Sequence, residues 1–267
     1  MNDAEYAYLS KVLRKLTNID LNQYRSKQMR RRLDAFISGY EPQSIAAYCR
    51  DLDRNPEMLR SLQDFLTINV SQFFRDQQQF VNLKAAILPD LLKRRQRLNI
   101  WSAGCSIGAE PYSLAIILEE MNPLHKHRLL ATDVDEGALG VAKAGGPYSS
   151  RDMENVPRQL LQKYFVLSKK EYWIVDALKQ RVKFKRHDLL TDPYEKGFDL
   201  IVCRNVVIYF TDEAKFRLNL MFREALRPGG VLFVGGSEII IRAKEAGFES
   251  VCPYFYRKSD DMVLTHV

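Results

Sequence analysis

The sequence predicts an α/β fold, a doubly wound and mostly parallel sheet with an all-α N-terminal domain and a small inserted subdomain. Three observations predict it. The first eighty or so residues carry apolar side chains at helical spacing. From Leu98 onward, short apolar runs alternate with helical patterns. The piece 146–181 breaks that alternation. The expected boundaries are therefore 1–82 for the helical domain, 83–267 for the α/β domain, and 146–181 for the insertion within it.

Leu9, Val12, Leu13 and Leu16 recur at i, i+3, i+4 and i+7. Met29, Leu33, Phe36 and Ile37 recur at i, i+4, i+7 and i+8, and each set is one face of a helix. Gly39 and Pro42 close the second helix, and residues 42–66 suit two shorter ones. Strands are expected over 98–103, 128–134, 182–187, 198–204 and 231–236, with a final pair near 247–257. Helices near 110–121, 136–144 and 212–226 separate some of them, which implies a mainly parallel sheet. The insertion holds a helix from Pro157 to Tyr164 and a hairpin around Ser168-Lys169-Lys170-Glu171.

With 46% hydrophobic and 27% charged residues, the 267-residue chain is ordinary for a globular protein. No run of about 18 apolar residues exists, so no membrane insertion is expected. The acidic start, Met1-Asn-Asp-Ala-Glu-Tyr6, lacks the basic and apolar regions of a signal peptide, and a cytoplasmic location is expected. Cys49, Cys105, Cys203 and Cys252 lie far apart without a Cys-x-x-Cys pair, so neither a metal site nor a disulfide framework is expected. The net charge of +7 permits an acidic partner without choosing one.

The stretch from Leu98 to Ala115 reads as strand, glycine turn, helix. Gly104 and Gly108 form the turn, and Pro111 suits a first helical turn. Such a turn lets a ligand approach bare backbone. The spacing is Gly-x-x-x-Gly rather than the dinucleotide fingerprint, and Glu110 stands where a phosphate would need positive charge. Asp133 ends the next strand, 25 residues beyond Gly108, a place that suits ribose hydroxyls. A ribose without phosphates, bound beside acids, points to S-adenosylmethionine. The plain alternative is a generic crossover whose helix begins with an acid.

Several further segments stand out: Asn69-Val-Ser-Gln-Phe-Phe-Arg75, Ala103-Gly-Cys-Ser-Ile-Gly-Ala-Glu-Pro-Tyr-Ser113, Ala131-Thr-Asp-Val-Asp135, Phe198-Asp-Leu-Ile-Val-Cys-Arg-Asn-Val-Val-Ile-Tyr-Phe210, Leu226-Arg-Pro-Gly-Gly230 and Gly236-Ser-Glu238. Together they resemble the CheR-type chemotaxis receptor methyltransferases, nearly end to end. Leu226-Arg-Pro-Gly-Gly230 is common to many methyltransferases, whereas the segments containing Arg75 and Asn205 are specific. The resemblance implies the class I, Rossmann-like methyltransferase fold and S-adenosylmethionine as methyl donor, with S-adenosylhomocysteine as product. It implies chemoreceptor cytoplasmic helices as partner, methylated on the γ-carboxylate of particular glutamates. A glutamate is ionised at neutral pH, with an unperturbed pKa of about 4.3, so no general base is needed. Alignment and exclusion of water remain as the enzyme's tasks.

By the same resemblance, Asn69, Ser71, Arg75, Gly104, Glu110, Asp133, Asp188, Leu189, Asn205 and Val206 would form the cofactor site. Ser71 stands where the family usually has Thr, Asp188 where it has Asn, and Ala109 where it commonly has a second acid. Arg75 would hold the incoming carboxylate through a two-pronged guanidinium contact, and Tyr209 would line the methyl-transfer site. Tyr112 reads as structural. Arg25, Arg30, Arg31 and Arg32, with Lys27, crowd one short stretch opposed by Asp34, a substrate-recognition surface for acidic receptor helices or a plain solvated face. A second cluster, Lys93, Arg94, Arg95 and Arg97, reads as solubilising a linker.

Some members of the family grip a receptor pentapeptide with a glycine-containing loop of a β subdomain. Residues 165–175 here are short and lack glycine, so pentapeptide independence is expected. Nucleic acid is not the expected partner. Amino-methylating enzymes of that class place Asp/Asn-Pro-Pro-Tyr/Phe after the fourth strand, and Asn205-Val-Val-Ile208 stands here instead. A silent module that binds S-adenosylmethionine or a receptor is the non-enzymatic alternative, opposed by the presence of Arg75, Glu110, Asp133, Asn205 and Tyr209 together.

Overall fold

The computed structural model describes residues 1–67, 71–122, 124–240 and 242–259. Contacts divide the chain into two units, Met1–Ile68 with Val207–Lys215, and Asn69–Val206 with Phe216–Val267.

The first unit is built on four helices, α1 (Asp3–Thr17), α2 (Ser26–Ser38), α3 (Ile45–Arg54) and α4 (Pro56–Thr67). Asn2 and Glu5 form a reciprocal cap at the start of α1, and Ser44 caps α3 through the Ala47 N–H. The amphipathic stripes read from the sequence meet in one core containing Leu9, Leu13, Met29, Leu33, Tyr48 and Leu62. Within the same unit, Tyr24 bridges Phe210 in antiparallel fashion, their rings edge to face at 5.1 Å.

The second unit begins with α5 (Gln77–Asn82) and α6 (Leu88–Arg94), joined through a wider turn at Leu83–Ile87. Then follow β1 (Asn99–Ala103), α7 (Ala109–Met121), β2 (Arg128–Asp133) and α8 (Glu136–Ala144). The insertion comprises α9 (Arg158–Tyr164), β3 (Phe165–Ser168), β4 (Glu171–Ile174) and α10 (Asp176–Lys179). The unit closes with β5 (Val182–Arg186), β6 (Phe198–Cys203), α11 (Asp212–Ala225), which begins in the first unit's segment, β7 (Leu226–Val234), β8 (Phe248–Cys252) and β9 (Phe255–Lys258).

Seven strands pair in the order β5-β2-β1-β6-β7-β9-β8. All neighbours from β5 to β7 are parallel, and β9 runs antiparallel to both β7 and β8. Numbered within the sheet alone, this is 3-2-1-4-5-7-6, the doubly wound arrangement the sequence predicts. β6 is buried along its whole length, as a central parallel strand requires. Asp199 is tolerated there because Arg95 and Arg227 pair with it at 3.3 and 3.1 Å and the Asn99 N–H donates to it. Arg95 therefore does more than solubilise a linker.

The helical unit ends at Ile68, short of the expected 82. Phe73, Phe74 and Phe80 lie in the core of the second unit, so the residues just before α5 belong with the sheet. The expected hairpin is present as β3 and β4, with Ser168 opposite Glu171 and Tyr148 bridging Tyr172. Among the described residues no helix is long and apolar enough to cross a membrane.

Candidate functional site

In a doubly wound sheet, ligands bind beyond the carboxyl ends of the strands, where the strand order reverses. Here the reversal falls at β1, with β2 on one side and β6 on the other. Two loops meet there. Gly104 (φ +81°) follows β1, and a Cβ at that position would run into the Val206 side chain. Only glycine allows both that conformation and that approach. The Thr132 carbonyl accepts the N–H groups of Gly104 and Cys105, which pins the turn to the end of β2. Gly108 (φ +89°) begins α7, and a Cβ there would press on Ala142.

The two acids flank this turn. Asp133 Oδ2 accepts from the Ser106 N–H at 2.7 Å and Oδ1 from the Asp135 N–H at 3.0 Å. Burial pushes its carboxyl above the ordinary range, and the bonds from Asp135 and Ser106 pull back. Glu110 Oε1 accepts from Ser102 Oγ at 2.8 Å, and Oε2 lies 3.5 Å from Arg204 Nη1. Burial raises the Glu110 carboxyl too, against the pull of Arg204 and Ser102. Two carboxylates beside exposed backbone suit hydroxyls and an ammonium, and disfavour phosphate.

Residues 71–76 approach the same place from another direction. The Phe73 N–H donates to the Asp152 carbonyl and the Phe74 N–H to Ser113 Oγ, itself bonded to the Ala109 carbonyl on α7. Ser71 and Arg75 are half-buried on this loop, and the Arg75 carbonyl accepts from Arg204 Nη2 at 2.9 Å. Asn69 lies outside the described residues. Arg204 is thus a residue the motif reading quoted without a role. The sequence hints only that an arginine directly after a buried strand needs partners, and does not say which.

Asn205 and Val206 sit at the end of β6. Asn205 takes a left-handed conformation (φ +60°), and its N–H donates to Glu238 Oε2 at 2.5 Å. Glu238, which the motif segments contain without a role, also accepts the Gly235 N–H at 2.9 Å. Asp188 and Leu189 follow β5. Asp188 Oδ1 accepts the Leu190 N–H and the Asp188 N–H donates to Asp192, so the acid shapes its own turn. Leu189 is buried, its carbonyl held by the Tyr194 hydroxyl at 2.8 Å. Tyr112 is structural: its hydroxyl donates to the Ala142 carbonyl.

The remaining predicted residues gather in the first unit. Tyr209 closes a single 3₁₀ turn, Val207–Tyr209, and its carbonyl accepts the Arg25 N–H at 2.9 Å. The Arg32 guanidinium lies 6.0 Å from the Tyr209 ring and 4.8 Å from that of Phe65, and donates to the Phe65 carbonyl. Arg30 pairs with Asp3 at 2.6 Å over the Tyr6 ring, and Arg25 pairs with Asp212 at 3.3 Å. Arg31 is exposed. The four arginines therefore serve different local ends, and Arg25 and Arg32 are the two that touch Tyr209. Arg25 and Lys27 also line a groove of about 570 Å³ with Tyr6, Leu21, Tyr24 and Asp212.

Comparison with known proteins gives the same division. Residues 69–253 match the family described as "CheR methyltransferase, SAM binding domain", and residues 4–67 match "CheR methyltransferase, all-alpha domain". The chain belongs to the CheR methyltransferase family. A chemotaxis protein methyltransferase of Listeria monocytogenes is 40% identical over 96% of this chain and 98% of its own. Chemotaxis protein methyltransferase 1 of Pseudomonas aeruginosa is 34% identical over 89% and 91%. Among solved structures, a SAM-dependent methyltransferase of Methanosarcina mazei is 15% identical over 56% of each chain, with a TM-score of 0.36. The fold assignment rests on the strand order instead. As a CheR methyltransferase, the chain is an enzyme that uses S-adenosylmethionine. Its residues fit that group: the buried acceptors Glu110 and Asp133 border a turn where Gly104 leaves backbone bare, and neither acid would tolerate a phosphate.

Proposed function

We propose that this CheR methyltransferase methylates γ-carboxylates of glutamates on chemoreceptor cytoplasmic helices, and does so without a receptor pentapeptide. The observation that supports the reading is the junction of Glu110, Arg204 and the Arg75 loop, in which one guanidinium faces Glu110 and holds the backbone of the loop that carries Arg75. Bound S-adenosylmethionine supplies a methyl group already activated by its sulfonium. Glu110 and Asp133 would hold its ammonium and ribose hydroxyls, with Gly104, Val206 and Asn205 shaping the floor and Leu189 giving an apolar wall for the base. Arg75 would grip the acceptor carboxylate, which arrives ionised and needs no base from the protein. Ser71 and Asn69 would complete that side. Tyr209, Arg25 and Arg32 would meet the receptor helix, whose acidity complements Arg31 and Lys27. Pentapeptide independence is supported by the two-residue turn and four-residue strands of the β3–β4 hairpin, which leave no glycine loop to enclose a tail.

The test uses methyl-labelled S-adenosylmethionine with receptor-bearing membranes, followed by mild alkali. Label released as volatile methanol is expected, from receptors with and without the tail alike. Alkali-stable label, or labelling that requires the tail, would overturn the corresponding half of the reading.

A further inference from the structure

We propose that Arg204 is a positioning residue that locks Glu110 and the loop carrying Arg75 into one arrangement, coupling the cofactor side of the site to the acceptor side. The proposal rests on the roles given above to Glu110 and Arg75. Arg204 follows β6 directly, and its side chain is 2% exposed. Three segments converge on it. Nη2 donates to the Arg75 carbonyl at 2.9 Å and to Asp76 Oδ2 at 2.7 Å, while Nη1 stands 3.5 Å from Glu110 Oε2. Its charge centre lies 4.8 Å from the Phe233 ring centroid and 5.3 Å from that of Phe80. A planar guanidinium reaches the two sides with separate nitrogens held in a rigid fork, whereas an ammonium presents all of its donors from one atom.

The loop shows why such a clamp is needed. Phe74 (φ +50°) and Asp76 (φ +59°) both occupy the left-handed region, on either side of Arg75. That conformation is costly for side chains with a Cβ and persists only when the surroundings hold it. Ser113 holds the Phe74 N–H, and Arg204 holds the carbonyl of Arg75 and the side chain of Asp76. The same guanidinium is the cation facing Glu110. Around that carboxyl lie the Ser102 hydroxyl from β1, Glu238 from the segment after β7, and the thiols of Cys105 and Cys203. Burial already pushes Glu110 toward its neutral form, and Arg204 opposes this. Without Arg204, Glu110 would take up a proton at higher pH and lose its hold on a cation, while the Arg75 loop would lose its anchor.

Four single variants, Glu110→Gln, Arg204→Met, Arg204→Lys and Asp76→Asn, and the double variant Arg204→Met with Glu110→Gln separate these effects. S-adenosylhomocysteine binding is followed by calorimetry from pH 6 to 8.5, and methyl transfer by labelled S-adenosylmethionine with receptor-bearing membranes. Arg204→Met should move the pH midpoint of binding upward by a unit or more, and adding Glu110→Gln should abolish that shift. Arg204→Lys keeps the charge, so its midpoint should stay at the wild-type value while kcat falls at least tenfold. Asp76→Asn alters a half-exposed side chain that folding can spare, and should lower kcat about fivefold with binding unchanged. Wild-type kcat in both Arg204→Lys and Asp76→Asn, or an unmoved midpoint in a folded Arg204→Met, overturns the proposal. Unchanged binding in Glu110→Gln overturns the assignment of Glu110 itself, a distinct failure read from a variant that leaves Arg204 in place.

Discussion

Asp133 spends both carboxylate oxygens on backbone N–H groups and is still pushed up by burial, so it carries its charge uneasily. An acid with a raised pKa loses its charge as pH falls through that value. A ligand that needs the ionised form therefore binds more tightly as pH rises, and releases protons when it binds. We expect the affinity for S-adenosylhomocysteine to climb as pH rises through the carboxyl range and to level off above the raised carboxyl values. Asp133→Asn should lower affinity roughly ten- to a hundredfold, the weight of one charge-assisted bond at about 1.5–3 kcal/mol, and should flatten part of that pH dependence. Calorimetry in buffers of different ionisation enthalpy reads both effects, and equal affinity in the variant would remove Asp133 from the site. Gly104, Glu110 and Asp133 were legible in the sequence because each obeys a local rule: glycine where backbone must be bare, acids at the ends of a strand or the start of a helix. Arg204 and Glu238 were not, because their meaning lies in partners 128 and 33 residues away.

Most elements with a strong period were read to within a residue or two, whereas β7 begins at Leu226 rather than 231 because the Arg-Pro-Gly-Gly stretch within it hides the strand pattern. α7 is buried nearly all round, from Ala109 to Leu118, so it shows almost no amphipathic stripe, yet its glycine turn and Pro111 mark where it starts. The β3–β4 hairpin is the opposite case. Its two turn residues, Lys169 and Lys170, both take left-handed conformations (φ +49° and +69°), the twist-matched turn that Asn-Gly would signal. The hairpin's place is legible there, but nothing in a Lys-Lys pair announces this turn type. The same strain makes a prediction. Replacing the pair by Asn-Gly removes a penalty of about 1–2 kcal/mol per lysine in that region, partly offset by the freedom glycine gains in the unfolded chain. A net gain of about 1 kcal/mol should raise Tm by about 2–4 °C, measured by thermal melting. A lower Tm would mean that the lysines hold the turn by contacts of their own.

Across the whole molecule, the helical and α/β units were visible from the change of hydrophobic period, but the boundary was not. Phe73, Phe74 and Phe80 have no strand pattern, and only their burial against the sheet's core assigns them to the second unit. Charge is the other property of the whole. The chain carries +7 near neutral pH and four histidines, so acidification adds positive charge to a molecule that already has an excess. His127 is where added charge should act on the fold. Its Nδ1 accepts the Leu98 N–H at 3.1 Å, just before β1, which requires that nitrogen to be unprotonated. Burial lowers its pKa, and His125, Arg97 and Arg181 lower it further. A histidine depressed in the folded state takes up its proton more readily when unfolded. Its contribution to stability is complete above the unfolded value and is lost as pH falls toward the folded one. His127→Asn keeps an acceptor near the Nδ1 position and removes the titration. The wild type should therefore lose more Tm than the variant between pH 7.5 and 5.5, with the two curves converging in shape above pH 7. Parallel melting curves over the whole range would show that His127 plays no part in the acid sensitivity of the second unit.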